Sequence, residues 1–120
     1  MENRAFTMVM ASFAADSLAL GAHWVYDTKA IETHLGRVDT LLKPLPNSYH
    51  STKTLGDFTH YGDQMLVLLE SVASQKGFSL VDFSARWKEL FNNYNGYVDQ
   101  ATQGTLAAYD AGKALQDGGS

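Results

Sequence analysis

The ten residues Gly56-Asp57-Phe58-Thr59-His60-Tyr61-Gly62-Asp63-Gln64-Met65 hold the densest run of reactive side chains in this 120-residue chain. Carboxylate and hydroxyl oxygens of the kind offered by Asp57, Thr59 and Asp63 suit a hard divalent cation, while His60 and Tyr61 suit proton transfer or contact with ligand hydroxyls. The run stands just before a strongly apolar segment, where a helix would begin. Helix N-termini attract anions, so capping by Thr59 or His60 with first-turn charge from Asp63 is the simpler account of part of it. Capping does not call for so many different polar groups, and a ligand site does.

Two further places carry chemistry. Asp16 falls three residues after Phe13 and four before Leu20, at the edge of an apolar stripe. A carboxylate there must be hydrogen-bonded or bound to a cation, so it either bonds nearby backbone or His23, or faces an internal polar site. The cluster His23-Trp24-Val25-Tyr26-Asp27 follows, and its aromatic faces suit stacking on a base or lining a sugar pocket. Asp27 itself reads as a helix cap. His34 and His50 have no partners in sequence and are not counted as site residues. Phosphate-binding glycine loops, zinc-spaced histidines and nucleophile elbows are absent from the sequence.

The elements that must hold these groups are helical. Phe6, Val9, Met10, Phe13, Ser17 and Leu20 recur at intervals of three and four, predicting a helix over 3–20 that stops at Gly21. A short helix over 28–35 follows Asp27 and ends at Gly36. Residues 37–57 have no helical period, and Pro44, Pro46, Asn47 and Gly56 mark a long ordered loop of the kind that is often functional. A third helix over 62–76 is apolar nearly all round through Met65, Leu66, Val67, Leu68 and Leu69, which predicts a central element. Ser79 with Asp82 opens a fourth helix with the stripe Leu80, Phe83, Trp87, Leu90 and Phe91. A fifth is expected over 98–116, with Asp99 near its start and Ala101, Thr105, Ala108, Tyr109 and Gly112 on one face. The fold class expected is all-α, as one domain over 1–120. Four other helices barely cover a central helix that is apolar on every side, and residues 117–120 read as loop, so packing alone suggests the front part of a larger helical domain.

Composition sets the outer limits. With 13 acidic against 9 basic residues the charge is −4, which argues against nucleic acid as a partner. The chain has no cysteine, so disulfides and thiolate metal sites are excluded and a reducing, cytoplasmic setting is expected. Apolar stretches are read as falling short of the roughly 20 residues of a membrane span, so no membrane partner is expected. Nine aspartates against four glutamates is an unusual balance for a helical sequence, since Asp is a cap, a turn residue and a metal ligand before it is a helix former.

The segments Ala15-Asp16-Ser17-Leu18-Ala19, His60-Tyr61-Gly62-Asp63-Gln64-Met65 with Glu70-Ser71 after the apolar run, and Gly96 to Leu106 resemble the ADP-ribosylglycohydrolase family. The resemblance implies an all-α orthogonal bundle, a pair of magnesium ions and cleavage of ADP-ribose from an acceptor. It also marks departures: Tyr61 and Gly62 stand where the family carries adjacent metal-binding aspartates, and the family domain is more than twice this long. Jellyfish J-type lens crystallins are similar in fold with a structural role.

The resemblance implies a hydrolase acting on an N- or O-glycosidic bond of ADP-ribose with Mg2+ or Mn2+. In that reading Thr59, Asp63 and Asp57 are the metal ligands, and Asp16, His60 and Asp63 form the catalytic set. His23, Trp24, Tyr26 and Tyr61 contact the substrate. The partner is an ADP-ribosylated substrate or an ADP-ribose-like small molecule, with homo-oligomerisation or association with a missing C-terminal part as a further expectation. The competing reading is a non-catalytic ADP-ribose- or nucleotide-binding protein, or a crystallin-like structural one, on the same fold.

Overall fold

The computed structural model describes residues 3–119, and every regular element among them is helical. The expected class is therefore the observed one. The elements are α1 (Arg4–Ala19), α2 (Thr28–Ala30), α3 (His60–Gln75), α4 (Leu80–Asn92) and α5 (Gln100–Asp110). They divide between two compact units, Met1–Gly62 and Asp63–Ser120, so that α3 has its first turn in one and its remainder in the other.

In the first unit, Asn3 caps α1 by accepting from the Phe6 N–H, and a 3-10 turn, Leu20–Ala22, extends the helix. Gly21 does not stop the helix; it is a point of close approach, where a Cβ would lie 2.7 Å from Leu42 Cβ. Asp27 caps α2 as expected, accepting from the Lys29 and Ala30 N–H groups. After that single α turn the chain widens into a π turn, Ile31–Leu35, closed by Gly36 N–H to Ile31 O at 2.7 Å with Gly36 at φ +63°. Residues between Gly36 and His60 form the expected long loop of turns.

The stripe of α1 is only half right. Phe13, Ser17 and Leu20 are buried, Phe13 against Phe58 at a ring separation of 5.2 Å, whereas Phe6 and Met10 of the same stripe are exposed. The expectation that apolar stretches fall short of a membrane span is also corrected. The run Arg4–Ala22, charged only at Arg4 and Asp16, is 19 residues long with mean hydropathy 1.4, enough by length and composition alone, and 22% of it is buried. Within the first unit the same helix packs Phe13 and Leu20 and bonds through Asp16.

In the second unit, Ser79 caps α4 by accepting from the Asp82 N–H, and Trp87 is its buried centre, with Phe91 and Tyr109 set edge-on to the indole. Asp99 caps α5, which stops at Asp110 instead of running to residue 116. Gly112 at φ +83° ends it, and a separate 3-10 turn, Leu115–Asp117, follows. Thr102, not the expected Ala101, is the side chain α5 buries. The apolar helix α3 is not covered all round: Val67 and Ser71 are buried while Leu66, Leu68, Leu69 and Val72 are each more than one-third exposed. Across the described residues, buried polar side chains outnumber buried apolar ones, and four of the polar ones (Ser17, His50, Thr59 and His60) lie in the first unit. Burying polar groups is costly unless most of them find partners, so this unit is built around a polar constellation.

Candidate functional site

The constellation starts at the head of α3. Both oxygens of Asp16 are taken by one residue: the Thr59 N–H donates to Oδ2 at 2.8 Å and the Thr59 hydroxyl to Oδ1 at 2.7 Å. The same hydroxyl accepts from the Tyr61 N–H at 3.1 Å, which makes Thr59 the capping residue of α3. Asp16 is thus a carboxylate held at a helix N-terminus by two hydrogen bonds, a favourable place for negative charge. Gly62 leaves the space for it, since a Cβ there would run into Asp16 Oδ2 and lie 2.7 Å from Phe58 Cβ. Ser17, the next residue of α1, donates to Gly56 O at 3.3 Å and ties the loop to the helix.

Beside this lies a histidine cluster that the sequence only half revealed. His50, wholly buried, brings its Nε2 to 2.7 Å from His23 Nδ1, and its ring is 5.6 Å from that of His60, also wholly buried. His60 in turn meets Tyr61 at 4.0 Å with the rings tilted by 36°, and His23 stacks on Trp24 at 5.1 Å. His50 Nδ1 is buried without a hydrogen-bond partner among the described residues. Burial holds the His50 pKa down to about 4, with the neighbouring His23, His60 and Lys53 adding to the effect. Burial also lowers that of His23, helped by His60 and opposed by Asp16. Two neutral histidines in contact share one proton across the 2.7 Å bond. His50 leaves the smaller penalty behind when its unpartnered atom is a bare acceptor and not a buried N–H, so Nε2 carries the proton and donates. That assigns the His23 proton to its own Nε2.

His50 is the residue that sequence reasoning missed. It sits in a loop with no periodic pattern, and the available signals were the length of that loop and the adjacent aromatic Tyr49. Trp24 and Tyr26 line a pocket of about 450 Å³ together with Tyr49, and Trp24 also borders a more open hollow next to His23. Tyr61 is half exposed beside the histidines. Of the expected metal ligands, Thr59 is 1% exposed and committed to Asp16, and Asp57 Oδ2 accepts from the Thr54 N–H in a local turn. Asp63 belongs to the second unit, where it accepts from the Tyr94 hydroxyl at 2.5 Å. Asp16, His23, His50, Thr59, His60 and Tyr61 are brought together. His34 is exposed and lines the pocket with Trp24, Tyr26 and Tyr49.

The sequence matches the family described as ADP-ribosylglycohydrolase over residues 1–120. The chain belongs to the ADP-ribosylglycohydrolase family. Among curated proteins and solved structures, none matches it. Family membership supports a hydrolase-like function at the level of the family. At Gly62, one of the two departures noted in the sequence, the chain has no room for a side chain while Asp16 keeps its place.

Proposed function

We propose that this member of the ADP-ribosylglycohydrolase family hydrolyses an N- or O-glycosidic bond of an ADP-ribosylated substrate in the cytoplasm. Within the reading, His23 presents its Nε2–H to a ribose hydroxyl or phosphate oxygen, fixed in that tautomer by His50. His60 and Tyr61 border the same ligand. Asp16 acts as a positioning residue: with both oxygens on Thr59 it fixes the head of α3 and hence the rings of His60 and Tyr61 that follow. The observation that carries the proposal is the His23–His50 pair, a part-buried hydrogen bond whose geometry leaves one half-buried imidazole edge for a ligand.

Magnesium or manganese is the proposed cofactor, and the residues present do not fit it by themselves. Magnesium asks for a near-octahedral set of oxygens. Thr59 Oγ1 is engaged as donor and acceptor, both Asp16 oxygens are taken, and no group of three His, Asp or Glu is placed to hold a metal ion among the described residues. No step of the reaction is therefore routed through a metal.

The test is release of ADP-ribose from ADP-ribosyl-arginine and ADP-ribosyl-serine peptides, followed with and without millimolar magnesium or manganese. Release that falls at least tenfold in His23→Ala supports the reading. Absence of release from either peptide by the folded chain, in both conditions, sinks it. A companion melt separates out the cofactor, because a rise of several degrees with metal requires Thr59 to release Asp16.

One observation favours a second reading, a non-catalytic ADP-ribose- or nucleotide-binding protein. The carboxylate pair of the family pattern is replaced by Tyr61 and Gly62, and Asp16 closes the space at Gly62. ADP-ribose binding with no turnover is the result that selects it.

A further inference from the structure

We infer that Asn95 is a self-modification site: the exposed Asn95-Gly96 step loses ammonia through a cyclic imide and leaves a carboxylate in the loop between α4 and α5. The inference stands apart from the hydrolase reading and lies wholly in the second unit.

Residues 93–99 join α4 to α5 as turn and irregular chain, and the Asn95 side chain is exposed among them. Imide formation needs the Gly96 nitrogen to reach Asn95 Cγ, and two features remove the usual obstacles. Gly96 has no Cβ to collide with the closing ring and turns freely about its backbone. Its N–H makes no backbone hydrogen bond among the described residues, so the nitrogen is not held away from its target. The fold also fixes the glycine. A Cβ at this position would lie 2.6 Å from Tyr94 Cε1, and the Tyr94 ring is held by its bond to Asp63 Oδ2 and by Phe91 at 5.0 Å. The packing that demands a glycine at 96 therefore keeps the step before it labile.

The other asparagines lack this combination. Asn47 is exposed too, but Ser48 carries a Cβ and its N–H donates to Leu45 O at 3.0 Å. Asn3 is the cap of α1 and Asn92 donates to Glu89, and a bulkier residue follows each. Asn93 precedes the large ring of Tyr94.

The step balances with water as the only co-reactant. The Gly96 nitrogen gives up its proton to solvent and bonds to Asn95 Cγ. The bond from Cγ to the carboxamide nitrogen breaks, and ammonia leaves. Water then opens the imide, at Cγ to give aspartate or at the main-chain carbonyl to give isoaspartate, in which the chain runs through the side-chain carbon. Either product puts a negative charge beside Tyr94, whose hydroxyl donates to the Asp63 carboxylate, and just ahead of the Asp99 cap of α5.

Peptide mapping of the whole chain after ageing in mildly alkaline buffer tests this, with parallel samples folded and in urea and circular dichroism confirming the folded state. In the folded chain, exchange of NH2 for OH at Asn95 is expected at least about tenfold faster than at Asn3, Asn47, Asn92 or Asn93, a barrier difference of about 1.4 kcal/mol. The folded rate at Asn95 is expected to stay within about tenfold of the rate in urea. Both aspartate and isoaspartate are expected as products. Asn95→Gln, at an exposed position, must close a less favourable six-membered ring and is expected to remove the product while keeping the fold. The inference is overturned if Asn95 reacts no faster than the other asparagines, or reacts only in urea. Aspartate as the sole product would mean direct attack by water and overturns the cyclic route, as does the same mass gain in the peptide that carries Asn95→Gln.

Discussion

His50 Nε2 lies 2.7 Å from His23 Nδ1, and the two rings differ in what surrounds them: His50 is wholly buried, His23 half-buried. The pair is therefore a device in which a buried imidazole orients a more accessible one. Burial disfavours the charged form of His50, and with the neighbouring His23, His60 and Lys53 adding to the effect its pKa is depressed to about 4.

That depression gives the protein a pH-dependent stability. In the unfolded chain His50 takes up a proton as pH falls through 6.5, while in the folded chain it does so only near 4. Between those values the unfolded state binds more protons, so stability rises with pH across the window and falls on acidification. The full effect is at most about 3 kcal/mol, and the lowered pKa of His23 acts in the same direction. Urea unfolding between pH 4 and 7.5 is expected to show this slope in the wild type and a distinctly flatter one in His50→Phe. An unchanged slope in the variant would mean that His50 is not the group responsible.

The helices and their caps were legible in the sequence because they rest on local rules. Asp27, Ser79 and Asp99 each accept backbone N–H groups at the turn they precede, as their spacing required. The α-to-π change after Ala30 and the early end of α5 at Gly112 were not legible, since both depend on backbone geometry that several sequences share. Part of the polar constellation could be read from Asp16, Thr59 and His60, whose types were conspicuous among apolar neighbours. Their pairing could not, because 43 residues separate Asp16 from Thr59 and no periodicity links them. His50 was hidden for the same reason, 27 residues from its partner.

The Asp16–Thr59 pairing predicts an asymmetry between two conservative replacements. Thr59→Val keeps the shape but leaves Asp16 Oδ1 and the Tyr61 N–H without their partner in a site that is 1% exposed. Unsatisfied buried groups of this kind cost about 1–3 kcal/mol, seen as a melting temperature lower by several degrees. Thr59→Ser keeps both bonds and is expected to stay close to wild type. Equal losses in the two variants would show that the methyl group, and not the hydroxyl, is what matters at this position.

Gly62 offers a test in which two principles predict opposite signs. Intrinsic propensity favours Gly→Ala within a helix by about 1 kcal/mol. The space at Gly62 is filled by Asp16 and Phe58, so Gly62→Ala is expected to destabilise by about 1–3 kcal/mol instead. In an Asp16→Ala background the obstruction is partly removed, and the cost of Gly62→Ala should shrink, a coupling that a double-mutant cycle measures directly. A stabilised single variant, or strict additivity in the cycle, would refute the close approach.

In the second unit, Asp82 on α4 accepts from Ser71 on α3 at 2.6 Å and from Arg86 one turn further along α4 at 2.8 Å. Its pKa is lowered chiefly by the Ser71 hydroxyl and next by Arg86, against a smaller opposing effect of burial. The stabilisation this represents is present above the ordinary carboxylate value and is lost as pH falls through the lower folded value. Because the hydroxyl is the larger cause, removing it should matter more than removing the cation, although only the second changes charge. Carbon-detected NMR titration of the Asp82 carboxyl is expected to show a larger upward shift in Ser71→Ala than in Arg86→Gln. The reverse order would make the salt bridge, and not the helix-to-helix hydrogen bond, the feature that holds this carboxylate ionised.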